Sequence, residues 1–282
     1  WVLVPGAGYS DQANLVALGP AFQVVGHYLA GILAAKMTKT GAVGWIAGAW
    51  YAPGYICMEC NAFIAGVHSV NPAVVVYTRE VGGTNPWGDP AAGYTIAQTL
   101  INTYNVDIIV HVADYSGRGV ISACIDLDKT VIGCVADQWS LAPNHMLTSV
   151  LMDIARFMDM IVQCKLGGAF LGYKSVDVDL SSLAPFHNLD PLVPQDVKNL
   201  LAATAALVKT DTNFDGKVDM KDIGVTAAAF GSYPGHARWK PIVDLNGDNK
   251  VDMKDIGQVA RNFGKVFTPV PLDPSQPPEH SP

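Results

Sequence analysis

The sequence predicts an α/β fold, a parallel sheet covered by helices, followed by a small α-helical module organised around two acidic loops. Two observations carry this. Over residues 1 to about 200, short β-rich runs alternate with apolar-periodic stretches of helical length. Near the C-terminus a twelve-residue acidic loop occurs twice, 33 residues apart, as DTNFDGKVDMKD from Asp211 and DLNGDNKVDMKD from Asp244. The expected organisation is an α/β domain over 1–203, a two-loop module over 204–266 and a Pro-rich tail over 267–282.

The strand candidates are WVLVPG (1–6), AVGWIAG (42–48), AVVVYTR (73–79), VDIIVHVA (106–113) and TVIGCVA (130–136). Helical stretches lie between and after them: Val24 to Lys39, Tyr55 to Val70, Pro90 to Tyr104, Arg118 to Leu127 and Asn144 to Lys165. Such an order places ligand sites at the carboxyl ends of the strands. Tyr9, Trp87, Tyr115, Asp137 and Trp139 fall at or near those ends, where simply packing the loops is the first reading and stacking on and hydrogen-bonding a planar ligand the second. Glycine-rich turns follow several strands, but none forms GxGxxG between a strand and a helix, so a dinucleotide is not indicated.

Each acidic loop places oxygen side chains at loop positions 1, 3, 5, 9 and 12, the spacing a short segment needs to wrap a hard cation. One expected cage is Asp211, Asn213, Asp215, Asp219 and Asp222, and the other is Asp244, Asn246, Asp248, Asp252 and Asp255. The carbonyls of Lys217 and Lys250 fill position 7. Gly216 and Asn249 occupy the sharp central turn, where positive φ is required, and Val218 and Val251 anchor the loops inward. Two loops matching at every ligand position predict two calcium ions.

Each loop is followed by one helical stretch ending at glycine, IGVTAAAFG and IGQVARNFG, and no helix is expected before either loop, a departure from the helix-loop-helix EF-hand. Over about residues 208 to 266 this duplication resembles a type I dockerin. The resemblance implies calcium-dependent docking to a cohesin-like domain or a neighbouring subunit through Met220-Lys221 and Met253-Lys254, a pair identical in the two copies and thus able to dock in two orientations. A module this small is expected to draw much of its folding energy from the metal. Chelation is therefore expected to melt 208–266 and spare the α/β domain.

HYLAGILAAKMTKTGAVGWIAG, NAFIAGVHSVNP, GDPAAGYTIAQTLINTYNVDIIVHVA, SGRGVISA and IGCVADQWSLAPNHMLTS follow one another in order. Over about residues 1 to 200 they resemble the basic membrane protein family, solute-binding proteins of ABC importers, several of which bind purine nucleosides. That implies the periplasmic-binding-protein type I fold: two Rossmann-like lobes with the ligand in the cleft between them. Two departures stand out. The N-terminal lobe is expected to lack its first βα unit, and Val135 and Met152 stand where the family tends to carry a ribose-gripping aspartate and a basic residue.

A lobe missing a strand is expected to expose a sheet edge, which invites strand addition. Head-to-tail assembly into a homo-polymer, through the module or a tail piece such as Val266 to Val270, is the alternative expectation. Net charge is −7, with 18 Lys and Arg against 25 Asp and Glu, which excludes nucleic-acid binding through a basic surface. No apolar run approaches the roughly 18 residues of a membrane span. Calcium loops of this kind suit an extracellular or cell-surface setting. Ser149, His145 and Asp153 form no nucleophile elbow, and no enzyme is expected. Cys57 and Cys60 form a CxxC without a second close pair for zinc, so buried thiols or a structural disulfide are expected among Cys57, Cys60, Cys124, Cys134 and Cys164.

Overall fold

A computed structural model describes residues 2–3, 16–18, 23–50, 54–155, 158–159, 162, 174–176 and 181–268. Its main sheet has six strands: β3 (Ala42–Ala47), β4 (Val75–Glu80), β5 (Ile108–Val112), β6 (Thr130–Val135), β7 (Met146–Met152) and β9 (Ser181–Leu183). They lie in the order β4-β3-β5-β6-β7-β9, all parallel except β9, which runs antiparallel to β7. A second, parallel sheet holds β1 (Val2–Leu3), β2 (Val16–Leu18) and β8 (Lys174–Val176) in the order β1-β2-β8.

The pleat explains the layers. Val43, Trp45 and Ala47 of β3, Val110 and Val112 of β5 and Ile132 and Cys134 of β6 point into one core, with α1 (Val24–Met37), α2 (Tyr55–Val70) and α5 (Gln195–Thr210). The alternate residues Ala42, Ile46, Ile109 and Val131 point into the other core, under α3 (Pro90–Tyr104) and α4 (Gly117–Asp126). Both faces are covered, the usual condition of a parallel sheet.

Helix α1 is buried almost all round, so it has no polar face of its own. It approaches α2 backbone to backbone: a Cβ on Gly31 would fall 2.1 Å from the Phe63 carbonyl oxygen. Helix α3 starts at Asp89, whose carboxylate accepts from the Ala92 N–H with Pro90 at the first turn, and ends at Asn105 in the left-handed region.

Two expectations are corrected. Val2–Leu3 of WVLVPG do not join the main sheet, because β3 already has β4 and β5 on either side and Val2–Leu3 pair with β2 instead. The six-stranded sheet ends at β4, and no described strand pairs with its outer side. Asn144 to Lys165 does not form one helix, because Met146–Met152 is β7, paired with β6 and largely buried on both faces. An apolar run of that length satisfies helical and buried-strand patterns alike. The described cysteines Cys57, Cys60, Cys124 and Cys134 are free buried thiols, and burial raises the pKa of each. Cys164 lies outside the described residues.

Helix α5 runs through the expected 203/204 boundary and ends at Thr210, so the first acidic loop, against expectation, has a helix directly before it. Helices α6 (Met220–Ala228) and α7 (Met253–Asn262) follow the two loops. The loops are exchanged between the halves. Val218 N–H donates to the Lys265 carbonyl and Gly264 N–H to that of Val218, while Val251 N–H donates to the Ser232 carbonyl and Gly231 N–H to that of Val251. This crossed clasp repeats at the 33-residue offset and ties each half to the other. Among the described residues no helix is long and apolar enough to cross a membrane.

Candidate functional site

The crossovers of the main sheet reverse direction between β3 and β5, and a crevice forms outside the carboxyl ends of strands at such a point. Trp87 lies there, its ring against Gly48, where an added Cβ would meet the indole at 2.3 Å. Ser116 pins the Trp87 loop by accepting from Asp89 N–H at 2.7 Å and donating to the Pro86 carbonyl at 2.9 Å. Tyr115 turns elsewhere. It is 60% exposed over a groove of about 500 Å³ that also touches Tyr94, Thr95, Arg118 and Ser122, with the Arg118 guanidinium 5.7 Å from its ring centre. Tyr9 lies outside the described residues.

Asp137 and Trp139 follow the carboxyl end of β6 and are brought together. Asp137 Oδ1 accepts from the Trp139 N–H at 3.1 Å. Gln138 fixes their loop from below: its side-chain oxygen accepts from His111 Nε2 at 2.9 Å and Cys134 N–H at 3.3 Å, and its own N–H donates to Ser149 Oγ at 3.1 Å. Burial pushes His111 down to about 4, so the ring is neutral at pH 7; with the Gln138 oxygen as acceptor, Nε2 carries the proton. The loop is thus held by a buried polar chain.

His187, which the sequence reasoning passed over, completes the group. Its Nε2 lies 2.7 Å from Asp137 Oδ2, and its ring stacks on Trp139 with centroids 4.7 Å apart and 23° between planes. Trp139 Nε1 is sealed from solvent with no hydrogen-bond partner among the described residues. Backbone strain gathers on the same rim: Asp114, Val135 and His187 have φ of 45°, 68° and 46°. For a β-branched residue such as Val135 that conformation is an outlier of the kind that marks functional sites.

The acidic loops take their expected backbone shape, with Gly216 at φ 80° and Asn249 at φ 63°, and Val218 and Val251 are fully buried. The two loops match bond for bond. Asp211 accepts from the Asp215 and Gly216 N–H groups, and Asp244 from those of Asp248 and Asn249. Asp222 and Asp255 are fully buried and close capping boxes with Asp219 and Asp252. Lys221 Nζ lies 3.0 Å from Asp215 Oδ2, and Lys254 Nζ 3.0 Å from Asp248 Oδ2.

Among the described residues no three His, Cys, Asp or Glu side chains are clustered as a metal site would be, since each loop closes on its own N–H groups and a lysine. The donors are nonetheless all hard oxygens. Burial, with the charges of Asp222 and Asp215 beside it, pushes the Asp211 carboxyl up to about 6, a cost that a bound divalent cation would offset. Met220 and Met253 are 64% and 65% exposed, so the structure leaves both repeated Met-Lys pairs uncovered.

The sequence profile described as ABC transporter substrate-binding protein, PnrA-like (Bmp) matches residues 8–208. A purine-binding protein of Brucella abortus is 30% identical over 223 residues, covering 76% of this chain and 59% of that protein. Basic membrane protein A of Borreliella afzelii is 31% identical over 177 residues, covering 58% and 52%. The chain therefore spans little more than half the length of these relatives. A crystal structure of a transcriptional activator of the comK gene from Bacillus halodurans superposes with a TM-score of 0.60 at 24% identity, covering 73% of this chain and 69% of that one, which shows the shared fold.

Proposed function

This chain belongs to the PnrA-like (Bmp) family of ABC transporter substrate-binding proteins, and we propose that it captures a purine-type solute outside the cytoplasm while a calcium-dependent module holds it to a protein partner. The observation that carries the first half is the Asp137–Trp139 pair, an acceptor beside a stacking surface at the carboxyl rim of the sheet. A carrier needs convergent contacts and a closing motion rather than catalytic groups. Calorimetric titration with inosine, adenosine, guanosine and adenine tests it: micromolar binding abolished in D137A supports a carrier, and no heat with any of them rejects it.

For the second half, two calcium ions would be held by Asp211, Asn213, Asp215, Lys217 O, Asp219 and Asp222, and by Asp244, Asn246, Asp248, Lys250 O, Asp252 and Asp255. The bond-for-bond match of the loops supports a dockerin-like module with two equivalent docking faces, Met220-Lys221 and Met253-Lys254. A cohesin-like domain is the partner class. Loss of one Met-Lys pair should leave binding nearly intact, and loss of both should abolish it.

A second reading, a binding-protein fold reused in an extracellular assembly, is favoured by Val135, which supplies no carboxylate for a ribose, and by the open edge at β4. Electron microscopy of calcium-loaded protein separates the two: filaments favour assembly, monodisperse particles the carrier.

A further inference from the structure

His187 makes with its neighbours the two contacts a purine-type base would make. Its ring stacks on the Trp139 indole, 4.7 Å between centroids at 23°, and its Nε2 edge meets the Asp137 carboxylate at 2.7 Å. Planar nitrogen rings are recognised by that pair of contacts: a π-face for the ring and an acceptor for its N–H edge. We propose that His187 is a built-in occupant of the solute site, so that a planar solute gains Asp137 and Trp139 only by displacing the imidazole. This rests on Asp137 and Trp139 being solute contacts, and it adds what stands in their way.

The surroundings suit a removable occupant. Behind the histidine, the 3-10 helix His187–Leu192 is anchored by Leu189 in the main core and by an Asp190–Lys198 ion pair at 2.7 Å. The His187 side chain itself is 28% exposed and that of Asp137 36%, so the ring has an outlet to solvent while its backbone stays fixed. His187 at φ 46° is a non-glycine residue in the left-handed region, a strained conformation that the anchored segment maintains. The consequence is quantitative. If the imidazole holds the site nine-tenths of the time, apparent solute affinity falls about tenfold without any change in the contacts the solute makes. Rings that cannot outdo imidazole in both stacking and hydrogen bonding are rejected.

The test uses the full calcium-loaded chain, with H187A to empty the slot and H187F to keep a stacked ring without the Nε2 donor. 4-Methylimidazole is the first probe, followed by tryptophan fluorescence and by NMR of the added ring. H187A should take it up saturably, wild type about tenfold more weakly, and the double variant H187A/D137A should not take it up. Inosine, adenosine and adenine are then titrated by calorimetry, with binding to H187A expected to be on the order of tenfold tighter than to wild type and H187F in between. Absence of methylimidazole uptake by folded H187A, or nucleoside binding weaker in H187A than in wild type, overturns the proposal. Uptake of methylimidazole by H187A with no purine bound by any form keeps the internal occupant and overturns the purine reading instead.

Discussion

Replacing Val135 should both stabilise the protein and sharpen its site. At φ 68° the residue lies in the left-handed region, where an L side chain crowds the following carbonyl at a cost of about 1–2 kcal/mol, and a β-branched one fits worst. Its side chain is 39% exposed, so truncation removes little buried surface. Glycine relieves the strain but adds up to about 1 kcal/mol of unfolded-state entropy. Aspartate visits this region readily without that penalty. V135G is therefore expected to be neutral to slightly stabilising, and V135D to stabilise by about 1 kcal/mol. V135D also returns a carboxylate to the rim. A charged acceptor for ribose hydroxyls contributes about 1.5–3 kcal/mol, or roughly 10- to 100-fold in nucleoside affinity. Urea denaturation at fixed calcium reads the first effect and calorimetry with guanosine and inosine the second. A lowered urea midpoint for both variants would refute the strain argument. Folded V135D that binds nucleosides no more tightly than wild type would refute the rim as a nucleoside cleft.

Three further outcomes are expected. Calcium removal at pH 7.5 should lower the main melting transition as well as that of the module, because Phe214 of the first loop and Phe267 beyond α7 pack against the main core. An ion at about 100 times its dissociation constant adds about 2.7 kcal/mol per site, so the shift is readable by calorimetry; a main transition unmoved by chelator would show the loops uncoupled from it. The size of that calcium effect should grow from pH 5 to pH 7. Between 3.8 and about 6 the calcium-free native state keeps an Asp211 proton that the unfolded chain has released, so this group's contribution to calcium-free stability falls as pH rises, by at most about 3 kcal/mol. Calcium needs the ionised carboxylate, and a calcium increment constant across that range would contradict this. G31A should destabilise by about 1–3 kcal/mol or more in thermal denaturation because its Cβ meets the Phe63 carbonyl, whereas G224A, open on α6, should not destabilise; equal effects would reject the α1–α2 contact.

Much of the fold was legible wherever local signals were strong. Tyr55–Val70 and Pro90–Tyr104 have the bounds that their periodicity and the Asp89-Pro90 start suggest. Strand β7 was misread because MLTSVLM, buried on both faces, offers no alternation to set it apart from a helix. Strands β2, β8 and β9 have three residues each, too few for any period to register. At the site, Asp137 and Trp139 could be picked out by their place after a strand. His187 could not, because it meets Asp137 across 50 residues and a lone histidine in a loop carries no spacing signal. The acidic loops were the reverse case, their backbone shape written in consecutive residues. The sequence alone suggests that chelation spares the α/β domain; Phe214 and Phe267, packed against the main core, argue for a coupled response instead, through contacts that only the folded chain brings together.

Native mass spectrometry of the full chain, sprayed with calcium and a mixture of purine nucleosides and bases, tests the two-part function most directly. The expected spectrum shows a protein carrying two calcium ions, falling to one in D244N/D248N, and a further species with one purine-type solute that disappears in D137A. A chain that binds no calcium above the level of a scrambled-loop control, or that carries no solute at any concentration tried, would contradict it.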